Sequence, residues 1–71
     1  MIRVKLQDVL DKEERSLKWV STKTGIAYST LHKLNNNNTN AISFNTMDKI
    51  CTLFNCKLED ILEFVNDSNK L

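Results

Sequence analysis

The sequence predicts an all-α fold of five short helices with a helix-turn-helix at its centre. Three observations carry this reading. Apolar residues recur at helical spacing in several short, separate stretches. A single glycine, Gly25, stands between two of those stretches in a chain that has no proline. The segment Val20-Ser21-Thr22-Lys23-Thr24-Gly25-Ile26-Ala27-Tyr28-Ser29-Thr30-Leu31 runs into that glycine and restarts behind small residues. That is the layout of two helices crossing steeply over a tight turn, and the turn needs a residue free to take φ > 0.

The elements follow in order. Leu6, Val9 and Leu10 lie at helical spacing, with Gln7, Asp8, Asp11 and Lys12 on the polar side, which predicts a first helix from Val4 to Glu13. Ile2 and Val4 alternate with Arg3 and Lys5, so the first residues have an extended alternative. Ser16 is an N-cap for the second helix, whose inward stripe is Leu17, Val20, Ser21 and Thr24. Gly25 ends it and Ile26 is buried in the turn. The third helix spans Tyr28 to Asn35 with Leu31 and Leu34 inward. The tract Asn35-Asn36-Asn37-Asn38-Thr39-Asn40 is a loop, in which an asparagine can take the left-handed cap. Ser43 caps a fourth helix, Phe44 to Phe54, with Phe44, Met47, Ile50, Cys51 and Phe54 as its core side. Asn55 is a left-handed stop. Leu58, Ile61, Leu62 and Val65 at i, i+3, i+4 and i+7 predict a fifth helix. Asn66 to Leu71 should fray. Trp19 is expected to pack on the first helix.

The 71 residues suffice for one domain, 1–71 with a core over about 4–65, and the thin core implies modest stability unless the chain pairs with itself. No apolar run approaches the roughly 18 residues of a membrane span, and Met1-Ile2-Arg3-Val4-Lys5 is no signal peptide. The expected location is the cytoplasm, with no membrane partner. Net charge is only +1, but residues 1–38 carry seven Lys/Arg against four Asp/Glu and residues 39–71 three against five. The positive half holds the helix-turn-helix. Cys51 and Cys56 lie among apolar neighbours with no further ligands for zinc, so they read as buried free thiols. His32 is the only histidine, and no activated nucleophile or glycine-rich loop is visible. Neither metal, cofactor, small-molecule ligand nor catalysis is expected.

With these helices in this order, the chain resembles the Cro and repressor type of helix-turn-helix domain, the xenobiotic-response-element family, whose fold is λ-repressor-like. The likeness runs from about Val4 to Val65 and is strongest over Leu17 to Leu34. The stretch Ile42 to Cys51, then Phe54-Asn55-Cys56 and Leu58 to Leu62, resembles a compact subgroup in which the domain is the entire protein. Three positions depart from the pattern. Leu17 stands where the family often has a phosphate-binding glutamine, Ser21 replaces the usual alanine, and Asn37 falls where a glycine commonly closes the third helix.

The resemblance implies double-stranded DNA as partner, with the third helix in the major groove. By position, Ala27, Tyr28, Ser29, His32 and Lys33 then face base edges. Lys33 can donate to guanine O6 and N7, and Ala27 can touch a thymine methyl. Ser16, Lys18, Thr22, Asn36, Asn38, Asn40, Ser43 and Phe44 are placed against the sugar-phosphate backbone. The plain alternative for each is a solvated surface side chain. Many family members repress phage or mobile-element genes by occupying an operator, which makes a bacterial or phage-encoded, nucleoid-associated repressor the expectation here. An inverted repeat requires a homodimer, for which the fifth helix with Phe64, Val65 and Leu71 is the candidate surface. The rival reading is a protein-interaction module such as an antitoxin, anti-repressor or assembly factor. Low net charge and Leu17 favour the rival, while the donor-rich face of the third helix favours DNA.

Overall fold

A computed structural model describes residues 1–66. In chain order it contains a strand β1 (Ile2–Val4), helices α1 (Leu6–Glu13), α2 (Leu17–Thr24), α3 (Tyr28–Asn35) and α4 (Phe44–Phe54), a single 3-10 turn (Leu58–Asp60) and a strand β2 (Leu62–Phe64). The four helices enclose a core of Leu6, Val9 and Leu10 from α1, Val20 from α2, Leu31 and Leu34 from α3, and Met47 and Ile50 from α4. Ile26 from the turn and Ile61 complete it. No polar residue is buried among the described residues. The helical frame is therefore held by apolar burial and by its caps. None of these helices is long and apolar enough to cross a membrane.

The helix-turn-helix forms where the sequence places it. Gly25 takes φ 78°, and its N–H donates to the Ser21 carbonyl at 2.9 Å. Two hydroxyls lock the turn behind it. Ser21 Oγ donates to the Ile26 carbonyl at 2.6 Å, and Thr24 Oγ1 donates to the Val20 carbonyl at 2.7 Å while accepting from the Ile26 N–H at 3.2 Å. Ser21 thus does more than an alanine would: it ties the end of α2 to the residue that fills the turn. The remaining caps also follow the sequence. Ser16 accepts from the Trp19 N–H at 3.2 Å, Ser43 from the Thr46 N–H at 3.0 Å, and Asn55 closes α4 at φ 51°.

The fifth helix is not there. Its residues form the 3-10 turn and β2, which pairs antiparallel with β1 in the register Ile2↔Phe64, Arg3↔Glu63, Val4↔Leu62. The extended alternative at the chain start is the one realised, so α1 begins at Leu6 and Val4 belongs to a strand. A helix of eight residues has little intrinsic stability, whereas Leu62-Glu63-Phe64 also alternates and finds a partner strand in the N-terminal residues. Lys5 N–H donates to the Ile61 carbonyl at 2.6 Å and Val65 N–H to the Met1 carbonyl at 2.7 Å, on either side of the pairing. Arg3 Nε reinforces it with a 2.7 Å ion pair to Glu63. Leu71, and the rest of the tail expected to fray beyond Asn66, lie outside the described residues.

Four side chains also differ from expectation. Phe44 does not join the core: it is 94% exposed at the first position of α4. Trp19 packs on α4 rather than on α1, with its ring 5.9 Å from that of Phe54 and the Arg15 guanidinium 4.3 Å above it. Cys51 and Cys56 are free thiols, but only half-buried. They face each other across the end of α4, where the Cys56 N–H returns to the Cys51 carbonyl at 3.1 Å. Burial, then the adjacent Cys51, then Asp60 raise the Cys56 thiol from its ordinary 9.0 to about 11.

Two outcomes follow from this packing. A Cβ at residue 25 would meet no atom within 4 Å, so substitution there acts through backbone strain alone. Gly25→Val should destabilise by more than about 1 kcal/mol and Gly25→Asn by less, as read by urea unfolding; equal midpoints would place the turn elsewhere. As pH rises, unfolded Cys56 ionises near 9 while the folded thiol holds its proton to about 11. Its contribution is complete below pH 9 and lost between 9 and 11. The stability difference between wild type and Cys56→Ala should shrink across that window.

Candidate nucleic-acid interface

α3 buries Leu31 and Leu34, holds Asn35 half-buried, and turns its other side chains outward. Ala27, Tyr28, Ser29, His32 and Lys33 are all exposed. Tyr28 and His32 sit one turn apart with ring centroids at 6.0 Å, and the Asn36 carboxamide lies 3.3 Å from a ring nitrogen of His32. These three make a connected ridge along the helix. Ser29 and Lys33 form a second line beside it, and among the described residues Lys33 has no ion-pair partner. The start of α3 is open as well. Ala27 has no side chain able to cap it, whereas α2 and α4 are capped by serines. The first N–H groups of α3 are therefore left for an external acceptor.

The asparagine tract splits into two groups. Asn35 and Asn37 face the protein. Asn35 Nδ2 donates to Gln7 Oε1 at 2.9 Å, and the Asn37 carboxamide accepts from the Val4 N–H at 2.8 Å. Asn37 also holds φ 59°, so it is the asparagine of the tract that takes the left-handed conformation, at the position where the family commonly has glycine. Asn36, Asn38 and Asn40 are exposed. A shallow cleft lined by Thr30, Leu34, Thr39, Ile42, Ser43 and Thr46 joins α3 to the start of α4. Thr30, absent from the sequence-based set, thus belongs to the same surface.

Ser16, Lys18 and Thr22 are exposed along α2, with Thr22 Oγ1 already donating to the Lys18 carbonyl at 3.0 Å. Ser43 is exposed too, but its hydroxyl is occupied, accepting from Thr46 N–H and donating to Thr46 Oγ1 at 2.8 Å. What the start of α4 offers an anion is then the N–H groups of Phe44 and Asn45, with the bare Phe44 ring beside them.

The electrostatic signal is sharper than the half-chain balance suggests. From Arg15 to Met47 the chain holds no carboxylate, and it carries Arg15, Lys18, Lys23 and Lys33. That window contains α2, α3, the loop and the first turn of α4, the elements that bear the surface just described. Among the described residues no group of His, Cys, Asp and Glu is arranged to hold a metal ion.

Known proteins agree with this architecture. The sequence model of the Cro/C1-type HTH DNA-binding domain matches residues 5–67. An HTH-type transcriptional regulator of Bacillus subtilis (strain 168), YozG, itself uncharacterised, is 31% identical over 68 residues, covering 96% of this chain and 81% of that protein. The crystal structure of a candidate DNA-binding protein from Bacteroides fragilis superposes with a TM-score of 0.78 at 19% identity, over 89% of this chain and 100% of its own. With its helix-turn-helix, its all-helical core and these matches, the chain belongs to the Cro/C1-type HTH DNA-binding family.

Proposed function

We propose that this protein is a sequence-specific regulator of transcription, a repressor of phage or mobile-element type that acts by occupying an operator at the nucleoid. The observation that carries the reading is the carboxylate-free window from Arg15 to Met47, which coincides with the helix-turn-helix and its flanking loop. A surface devoted to protein partners has no need to exclude acids, whereas a phosphate backbone repels them. Ala27, Tyr28, Ser29, His32 and Lys33 read base edges. Lys18, Thr22, Asn36, Asn38 and Asn40, with the N–H groups following Ser43, set the protein on the backbone. Occupancy, rather than catalysis, is the mechanism. On an inverted repeat two copies bind half-sites one helical turn apart. The exposed Phe44 ring and Leu17 favour a second reading, a helix-turn-helix module that binds protein, and the two readings separate on DNA titration.

Selection from random duplex DNA should return a preferred site. Its affinity should fall with salt at a log–log slope of about −0.9 for each phosphate that a cation neutralises. Absence of binding to any selected duplex at low salt favours the protein-binding reading. On the selected site, Lys33→Ala should cost roughly 1–3 kcal/mol and relax preference at one base pair. Asn40→Ala should weaken preferred and poor sites alike. A panel of single-base changes compares the two, and an unchanged preference in Lys33→Ala removes that residue from the groove.

A further inference from the structure

Two thiols meet where α4 gives way to the segment leading into the ribbon, and nothing described above uses them as thiols. Asn55 turns the chain at φ 51°. Its N–H returns to the Thr52 carbonyl at 3.3 Å, and the Cys56 N–H returns to the Cys51 carbonyl at 3.1 Å. These are the two bonds of a Schellman motif, in which the side chains at the ends of the longer bond commonly touch. Here both ends are cysteines. The 3.1 Å bond between them leaves their Cα atoms no farther apart than about 7 Å. Disulfides join Cα atoms roughly 4.4–6.8 Å apart. The sulfurs are within each other's reach as well, since the Cys51 thiol helps to hold the proton on Cys56. Both thiols are free and half-buried. Cys56 lines an open cleft of about 400 Å³ between α1 and the end of α4, with Lys5, Asp8, Lys12 and Asp60 around it. No residue of the α3 surface lines that cleft.

We propose that Cys51 and Cys56 are a reversible dithiol–disulfide pair, oxidised by exchange with a small disulfide, that clasps the end of α4 to the segment leading into β2. The exchange has two steps. A thiolate of the pair attacks one sulfur of the small disulfide, forming a mixed disulfide and releasing a small thiolate, which takes up a proton. The second cysteine loses its own proton and attacks the protein sulfur of the mixed disulfide. The 51–56 bond forms and the second small thiol leaves. The protein gives up two hydrogens and two electrons, and the small disulfide becomes two thiols. A cleft lined with both signs of charge suits the disulfide of a zwitterionic thiol peptide as the reagent. Attack needs a thiolate, and Cys56 keeps its proton to about 11. Exchange therefore quickens as pH rises. The bond closes a turn that the fold has already made, so it requires no movement of the helices. By linkage, the factor by which folding favours the 51–56 bond is also the factor by which the bond favours folding. The pair thus converts the thiol–disulfide balance of the surroundings into stability of the domain, and with it the amount of folded protein.

The test needs no DNA and is independent of the operator reading. The folded full chain is equilibrated with mixtures of reduced and oxidised glutathione at mildly alkaline pH. Free thiols are then alkylated and the products mapped by mass spectrometry. The expected product is a monomer with a 51–56 bond that dithiothreitol reverses. The glutathione ratio at half-oxidation, compared between the folded chain and the chain in urea, should show the bond favoured by folding about tenfold or more. The oxidised protein should then unfold roughly 5–10 °C above the reduced one. Cys51→Ser and Cys56→Ser should each stop at the mixed disulfide with glutathione, and neither should gain stability on oxidation. A wild-type chain that accumulates glutathione adducts, or links between chains, in place of the internal bond overturns the proposal. So does a 51–56 bond that forms no more readily in the folded chain than in urea.

Discussion

A small body with four helices has room for no gradual turns, and every helix here ends with a left-handed residue at its cap or one position past it. Glu14 ends α1 at φ 54°, Gly25 ends α2 at 78°, Asn37 follows α3 at 59°, and Asn55 ends α4 at 51°. Each reversal returns N–H groups to the last carbonyls of the helix it closes. Arg15 N–H reaches the Leu10 carbonyl at 2.9 Å, and Asn38 N–H reaches that of Lys33 at 2.9 Å. Without these stops the apolar stripes of α1 to α4 could not converge on one core. Only one of the four is glycine, and it sits in the turn where α2 and α3 cross. Asparagine at two of the others carries a smaller penalty than most residues. Glu14 alone takes the conformation against its intrinsic preference.

Asn37 connects this constraint to both surfaces of the molecule. Its backbone ends α3, and its carboxamide holds Val4 on the outer edge of the ribbon. The loop that carries Asn36, Asn38 and Asn40 is therefore anchored in the middle to a different part of the fold. That anchoring limits the freedom the loop would lose on binding a phosphate backbone. It also explains why the two edges of the ribbon differ. The same residue that shapes the loop meets the β1 edge at Val4, and no side chain among the described residues does the same for β2.

The helical part of the fold was legible because its signals are local. Ser16 and Ser43 before apolar periods, Gly25 between them, and Asn55 after Phe54 each predict a boundary from neighbouring residues. What could not be read locally depends on partners far away in sequence. Leu58, Ile61, Leu62 and Val65 fit a helix period, and the choice of strand is made by Met1 to Lys5, some sixty residues earlier. Phe44 fits the apolar period of α4, yet it is exposed at the first position of that helix, and no periodicity reports that. Glu14 bears no mark of a left-handed stop at all. For the candidate site, the residues named on α3 are at the surface and share one face. Thr30 lies beside the core position Leu31 in sequence, and it is the cleft toward α4, which depends on the tertiary packing, that brings it into the surface. The interval without acids runs from Arg15 to Met47, across the middle of the chain, so a balance of its two halves does not report it.

That interval also resolves the tension between low net charge and a DNA partner. The carboxylates are not few: those of the described residues lie on α1 and its cap, at Asp48 of α4, in the 3-10 turn and at Glu63 of β2, so the chain as a whole is almost neutral while the window from Arg15 to Met47 is not. A nearly neutral protein gains little from the non-specific attraction that binds basic proteins along any duplex. Its α3 surface instead presents a hydroxyl, a phenol, an imidazole, a carboxamide and one ammonium. Groups of this kind are satisfied only when a base edge or phosphate stands at the right place, and a mismatched site leaves them unpaired. Weak background affinity and directional contacts raise the ratio of specific to non-specific binding, the quantity that matters against a genome of competing sites. The charge distribution that makes this chain look like a poor DNA binder in composition is thus the one suited to a selective one.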